Sequence, residues 1–137
     1  MIQWEPPVFD SPFELWREEG LLHLVLAKGG RVSVRHMKEM IRLIAALDRS
    51  GRAPVMIDHA PGVVVEEPAR ALLTRVCRHQ GHPVGVYSTD PACRNQLDVF
   101  RQVHRPAFPF RVFENREEAY RWARERRQLA TFVERKD

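Results

Sequence analysis

Residues 13–47 read FELWREEGLLHLVLAKGGRVSVRHMKEMIRLIAAL, and the spacing of their apolar positions changes twice within that span. Phe13 and Leu15 alternate with Glu14, and Trp16 with Arg17, a short period of two that predicts a half-buried strand over 12–18. After Glu18-Glu19-Gly20, residues 21–27 are almost continuously apolar, which predicts a second strand joined to the first by a hairpin. Lys28-Gly29-Gly30 breaks that strand. From Val34 the period becomes 3.6, with Met37, Met40, Ile41, Ile44, Ala45 and Leu47 on the same side of a helix. That helix is expected to end near Ser50-Gly51, where glycine suits a cap.

The alternation continues to the end of the chain. Pro54 to Asp58 is a short apolar strand, and a helix follows from about Glu66 to Gly81, with Ala69, Leu72, Leu73, Val76 and Cys77 inward. Pro83 to Tyr87 is the next strand. Thr89-Asp90-Pro91 then opens a helix with a capping side chain followed by proline in the first turn. Phe110 to Phe113 is the last strand. The last helix opens around Asn115, places Glu117 and Glu118 where carboxylates favour the helix dipole, and buries Ala119, Trp122 and Ala123. The order β-β-α-β-α-β-α-β-α predicts an α/β fold: a mixed five-stranded sheet, mainly parallel, with the first strand as an antiparallel edge.

Composition sets the class without naming a task. The chain has 137 residues, the length of one ordinary domain, read as an N-terminal arm over 1–11 and a single domain over 12–137. No apolar run approaches the roughly 18 residues of a membrane span, and the acidic, Pro-rich start lacks the pattern of a secretory signal. Two cysteines without a CxxC motif fit a reducing, cytoplasmic setting. The first 20 residues hold five acids against Arg17, a net −4, so the other 117 carry +8 of the overall +4. Nineteen of the 22 basic residues are Arg, yet no nucleic-acid motif accompanies them, and no nucleic-acid partner is expected.

The segment from Arg105-Pro106-Ala107-Phe108-Pro109-Phe110 to Glu117-Glu118-Ala119-Tyr120-Arg121-Trp122 resembles the end of SpoIIAA-like bacterial proteins. Those proteins carry a basic-Pro-x-Phe-Pro loop, a strand ending in Phe, and an acidic helix start leading to Trp. Together with the element order, this likeness to the STAS domain family covers about residues 12–127. It implies a STAS-like fold, shared with the CRAL-TRIO lipid-transfer domains. In the regulatory STAS antagonists, a serine at the start of the helix after the third strand is phosphorylated by a partner kinase. Residues 58–70 contain no Ser or Thr, and Glu66 falls about where that serine would be. Its carboxylate either imitates a phosphorylated residue or only complements the helix dipole.

Ligands of such sheets bind beyond the carboxyl ends of the strands. The candidate binding residues there are Lys28, Asp58, His59, Glu66, Ser88, Thr89 and Asp90. Most of them have a local duty as well, in a turn or a cap, and no catalytic residue is assigned. His79 and His82 sit three apart across Gly81, no zinc pattern is present, and neither a metal nor a cofactor is expected. Cys77 falls on an apolar helix face, and Cys93 has no base near it in sequence.

These features point to a non-catalytic, STAS-like module for protein interaction. The alternative, from the lipid-transfer side of the resemblance, is a site for a small apolar ligand, although 137 residues leave little expected volume once a core is filled. A homodimer is expected through the acidic arm and first hairpin, with Trp4 or Trp16 near its centre.

Overall fold

The computed structural model describes the backbone of residues 12–136 and side chains up to residue 128. The arm over 1–11, and with it Trp4, lies outside the described residues. Seven strands and four helices follow one another as β1 (Phe13–Glu18), β2 (Leu21–Leu26), β3 (Arg31–Val32), α1 (Val34–Leu47), β4 (Val55–His59), β5 (Val64–Val65), α2 (Glu67–Val76), β6 (Val84–Tyr87), α3 (Pro91–His104), β7 (Phe110–Phe113) and α4 (Arg116–Lys136). The main sheet has the order β1-β2-β4-β6-β7. β1 is antiparallel to β2, and β4, β6 and β7 are each parallel to their neighbour. This is the expected mixed sheet of five strands.

The three parallel joins share one device. Pro54, Pro83 and Pro109 each stand just before a strand, where a missing N–H breaks no ladder bond. Their carbonyls accept from Leu22 N at 2.9 Å, Val55 N at 2.7 Å and Val84 N at 2.8 Å, so each strand start is tied to its neighbour. Leu22, Val55, Val84 and Phe110 consequently sit in one register row.

Each crossover steps the same way along the sheet. Right-handed crossovers then put α1, α2 and α3 on one face, and α4, which follows the last strand, closes the other. Strand alternation divides the side chains accordingly. Leu22, Leu24, Leu26, Val55 and Ala69 of α2 share the first core, with Met37 and Met40 of α1. Leu21, Met56, Ala119, Trp122 and Ala123 form the second.

Three local details differ from the sequence reading. α1 stops at Leu47 rather than near Gly51, because Asp48 leaves the helix to fold a turn around itself: its carboxylate accepts from Ser50 Oγ at 2.8 Å and Ala53 N at 2.8 Å. α2 ends at Val76, five residues before Gly81, so residues 78–83 run as a loop. A second sheet, β3 with β5, pairs Arg31 with Val64 and Val32 with Val65. Two-residue strands carry too little periodicity to be seen in sequence. That small sheet leads directly into both α1 and α2.

Candidate ligand cavity

The helices on the first face do not fill the space above the sheet. α2 spans only ten residues, and α3 buries none of its fourteen. Between them, over β4 and β6, lies a cavity of about 320 Å³. Its floor is Leu24, Ile57 and Val86; its walls include Ile44 of α1, Leu73 and Val76 of α2, and Phe100 of α3. Phe100 is held there against Phe110 of β7, with ring centroids 6.1 Å apart. The sequence reading expected little free volume; the early end of α2 and the loose seating of α3 overturn that expectation.

Polar groups are confined to the two ends. At the amino ends of the strands His82 lines the cavity, with Nδ1 2.7 Å from the Ala53 carbonyl and 3.6 Å from Asp48 Oδ2. Burial pushes the Asp48 carboxyl up, but the N–H of Ala53, the Ser50 bonds and the nearby His82 outweigh it and hold the group below its ordinary value. At the carboxyl ends His59 lines the cavity. Burial lowers its pKa, against smaller opposing effects of the backbone at residues 59 and 60 and of the Asp58 charge.

The strand-end residues singled out from sequence diverge. Asp58 and His59 point to opposite faces, as adjacent strand residues must. Asp58 lies on the α4 side, where burial raises its pKa against the attraction of His59 and Arg116. Lys28 and Thr89 are exposed. Ser88 is buried and accepts from Asp90 N at 3.2 Å, while Asp90 caps α3 by accepting from Ala92 N at 3.0 Å. Glu66 stands at the N-cap position of α2, just before the helix rather than within its first turn, and makes no side-chain cap bond. Its carboxylate instead pairs with Arg31 Nε at 2.8 Å. Of the seven, His59 is the one that lines the cavity.

The structure also joins two groups that sequence reasoning kept apart. Cys93 Sγ lies 3.1 Å from His59 Nδ1, across 34 positions of sequence. No local pattern could have revealed that approach, which brings the first turn of α3 beside His59 at the end of β4. Cys77 is buried, and burial pushes its thiol pKa up. Among the described residues no group of three or more His, Cys, Asp or Glu is placed to hold a metal ion. No helix among them is long and apolar enough to cross a membrane.

A singly wound, mixed sheet with three helices on one face and a C-terminal helix on the other is a SpoIIAA-like fold. An uncharacterized protein of the DUF3478 family with a SpoIIAA-like fold, from Shewanella loihica PV-4, is similar in structure, with a TM-score of 0.59 over 81% of this chain and 91% of that one. The two share 12% sequence identity, so the likeness is one of fold. The family model described as Domain of unknown function (DUF7793) matches residues 15–127, and the chain belongs to that family. No curated protein matches it in sequence.

Proposed function

We propose that this domain is a non-catalytic binding module that holds a small apolar molecule, or the tail of a lipid, between its sheet and its helices. The cavity carries this reading. Its volume of about 320 Å³ falls at the lower end of small-molecule sites, which run to roughly 300–1,000 Å³. Its lining is aliphatic and aromatic, with imidazoles at the ends. The cavity is partly open to solvent, so a ligand can enter, and an apolar occupant would remove its aliphatic lining from water. The CRAL-TRIO side of the resemblance points the same way.

Native mass spectrometry of gently purified protein should show a co-purifying apolar molecule. A fluorescent fatty acid should bind and be displaced by decanoate. Val76→Phe, which fills the cavity from α2, should weaken binding at least tenfold while leaving a cooperative thermal transition. If neither apolar probe binds the wild type at micromolar concentration, the reading fails.

A second reading, protein contact through the first hairpin, is favoured by Trp16. This residue of the terminal strand β1 is 39% exposed and stacks on His23 at 5.2 Å. A stable homodimer would bury on the order of 1,200–2,000 Å². Sedimentation should then show a dimer at micromolar concentration that Trp16→Ala disrupts; a wild-type monomer removes this reading.

A further inference from the structure

The proposed apolar site ends on His59, and Cys93, which is not itself among the lining residues, approaches the far side of that ring. α3 contributes to the site and to this approach: Cys93 is in its first turn, and Phe100, two turns and about 10 Å further along, lines the cavity. His59 joins them, with its ring in the cavity lining and Nδ1 3.1 Å from the thiol sulfur. A ligand whose chain lay in the cavity would therefore present its head to a nucleophile with a base already in reach.

We propose that Cys93 is a stoichiometric acceptor of apolar acyl groups, with His59 as its base and an acyl thioester as the donor. This rests on the reading of the cavity as an apolar ligand site. The thiol sulfur attacks the thioester carbonyl carbon while His59, in the tautomer protonated on Nε2, takes the thiol proton on Nδ1. The oxyanion so formed lies at the start of α3. The Cys93 N–H belongs to the first turn, where the helix offers no preceding carbonyl, and in this proposal it is the donor to that oxyanion. Collapse breaks the bond from the carbonyl carbon to the carrier sulfur, and the departing thiolate takes the proton back from the imidazolium. One carbon–sulfur bond forms, one breaks, and nothing is oxidised.

Three features of the surroundings support the step. Burial lowers the His59 pKa, so the imidazole is neutral and able to accept a proton near neutral pH. Arg94, the next residue of α3, is turned away to donate to the Ser88 carbonyl at 2.7 Å and does not block the thiol. Cys77 lines the cavity itself and provides an internal contrast: its buried thiol has its pKa raised by burial. Acylation governed by closeness to the cavity alone would fall on Cys77, and acylation that needs the His59 base on Cys93, so the two separate by residue.

The protein is incubated with octanoyl and with acetyl N-acetylcysteamine thioesters, and intact mass and peptide mapping follow the adduct. A single octanoyl group should appear on Cys93, forming at least tenfold faster than the acetyl adduct. His59→Gln should slow it by roughly 100-fold or more, the usual contribution of a positioned base. Cys77→Ser should leave the rate unchanged, and Cys93→Ser should abolish the adduct. His59→Asn serves as a second variant, both being checked for a wild-type thermal transition before rates are compared. Labelling of Cys77, equal rates for the two acyl chains, or equal rates in wild type and folded His59 variants would overturn the proposal. If Cys93→Ser still binds the fluorescent fatty acid and the wild type takes no octanoyl group, acyl transfer fails and the cavity reading stands. If Cys93→Ser and wild type bind no fluorescent fatty acid and the wild type takes no octanoyl group, both fail.

Discussion

The indole of Trp122 in α4 packs against the bare backbone of Gly85 in β6. A Cβ on residue 85 would stand 3.1 Å from both Cε3 and Cζ3 of the indole and 3.3 Å from Cε2 of Phe113. Phe113 is itself packed on Trp122, with ring centroids 5.8 Å apart, so neither ring has room to retreat. The close approach lets α4 sit directly on the middle of the sheet. It also places a small residue in a strand whose neighbours are β-branched or aromatic.

Gly85→Ala should therefore destabilise the domain by about 1–3 kcal/mol through overpacking, despite the usual gain from replacing glycine in a strand. Trp122→Ala should cost more, about 3–5 kcal/mol, since the indole is the largest group in the second core. Urea unfolding of the two variants checks both values. An unchanged midpoint for Gly85→Ala would show that the indole can shift.

Asp48 closes the turn after α1, and its pKa is depressed in the folded chain. A depressed carboxylate contributes stability that is present above its unfolded value and is lost as pH falls through the native one. Asp48→Asn should cost about 1.5–3 kcal/mol near neutral pH, the range for hydrogen bonds to a charged group. The gap between wild type and variant should close as pH drops below 3.8, the ordinary value of this carboxyl. Denaturant midpoints between pH 3 and 7 test it; a gap independent of pH would assign the effect to shape rather than charge.

His59 shifts the same way for a different cause. Burial depresses its pKa below 6.5, so the unfolded chain binds a proton before the folded one does. Its contribution is fully present above that pH and is lost as pH falls through the lower native value. Wild type should lose stability on going below pH 6.5 more steeply than His59→Gln. Parallel slopes for the two proteins would contradict the burial of the ring.

α3 should open more readily than α1. Val99 and Val103 of α3 are 49% and 67% exposed, whereas α1 buries Met37 and Met40 and starts with a Ser33–His36 capping box. Local opening follows packing, so α3 amides should exchange with deuterium at least tenfold faster than the central amides of α1. Fatty-acid binding should slow exchange in α3 selectively, because Phe100 lines the cavity. Equal protection of the two helices would mean that α3 is held by contacts beyond its own side chains.

The five-stranded sheet and its helices were legible because their signals are local. The change of period at Val34 separates strand from helix, Pro83 and Pro109 mark strand starts, and Asp90-Pro91 and Asn115 mark helix starts through bonds within a few residues. The buried set Ala119, Trp122 and Ala123 follows from helical spacing alone. The order β1-β2-β4-β6-β7 was decided by the tertiary structure, since right-handed crossovers set only which face each helix covers once the direction of each step is known.

What only the tertiary structure decided depends on how well pieces meet. The cavity exists because α2 ends at Val76 and α3 leans on the sheet without burying a residue, and periodicity states which face is apolar, not how closely it packs. Glu66 was placed near a helix start from sequence, yet its partner Arg31 is set by the two short strands β3 and β5. Cys93 and His59 are 34 positions apart and belong to different elements. Sequence determines local conformation through neighbours along the chain, whereas a nucleophile meets its base only where the chain returns to the same point in space.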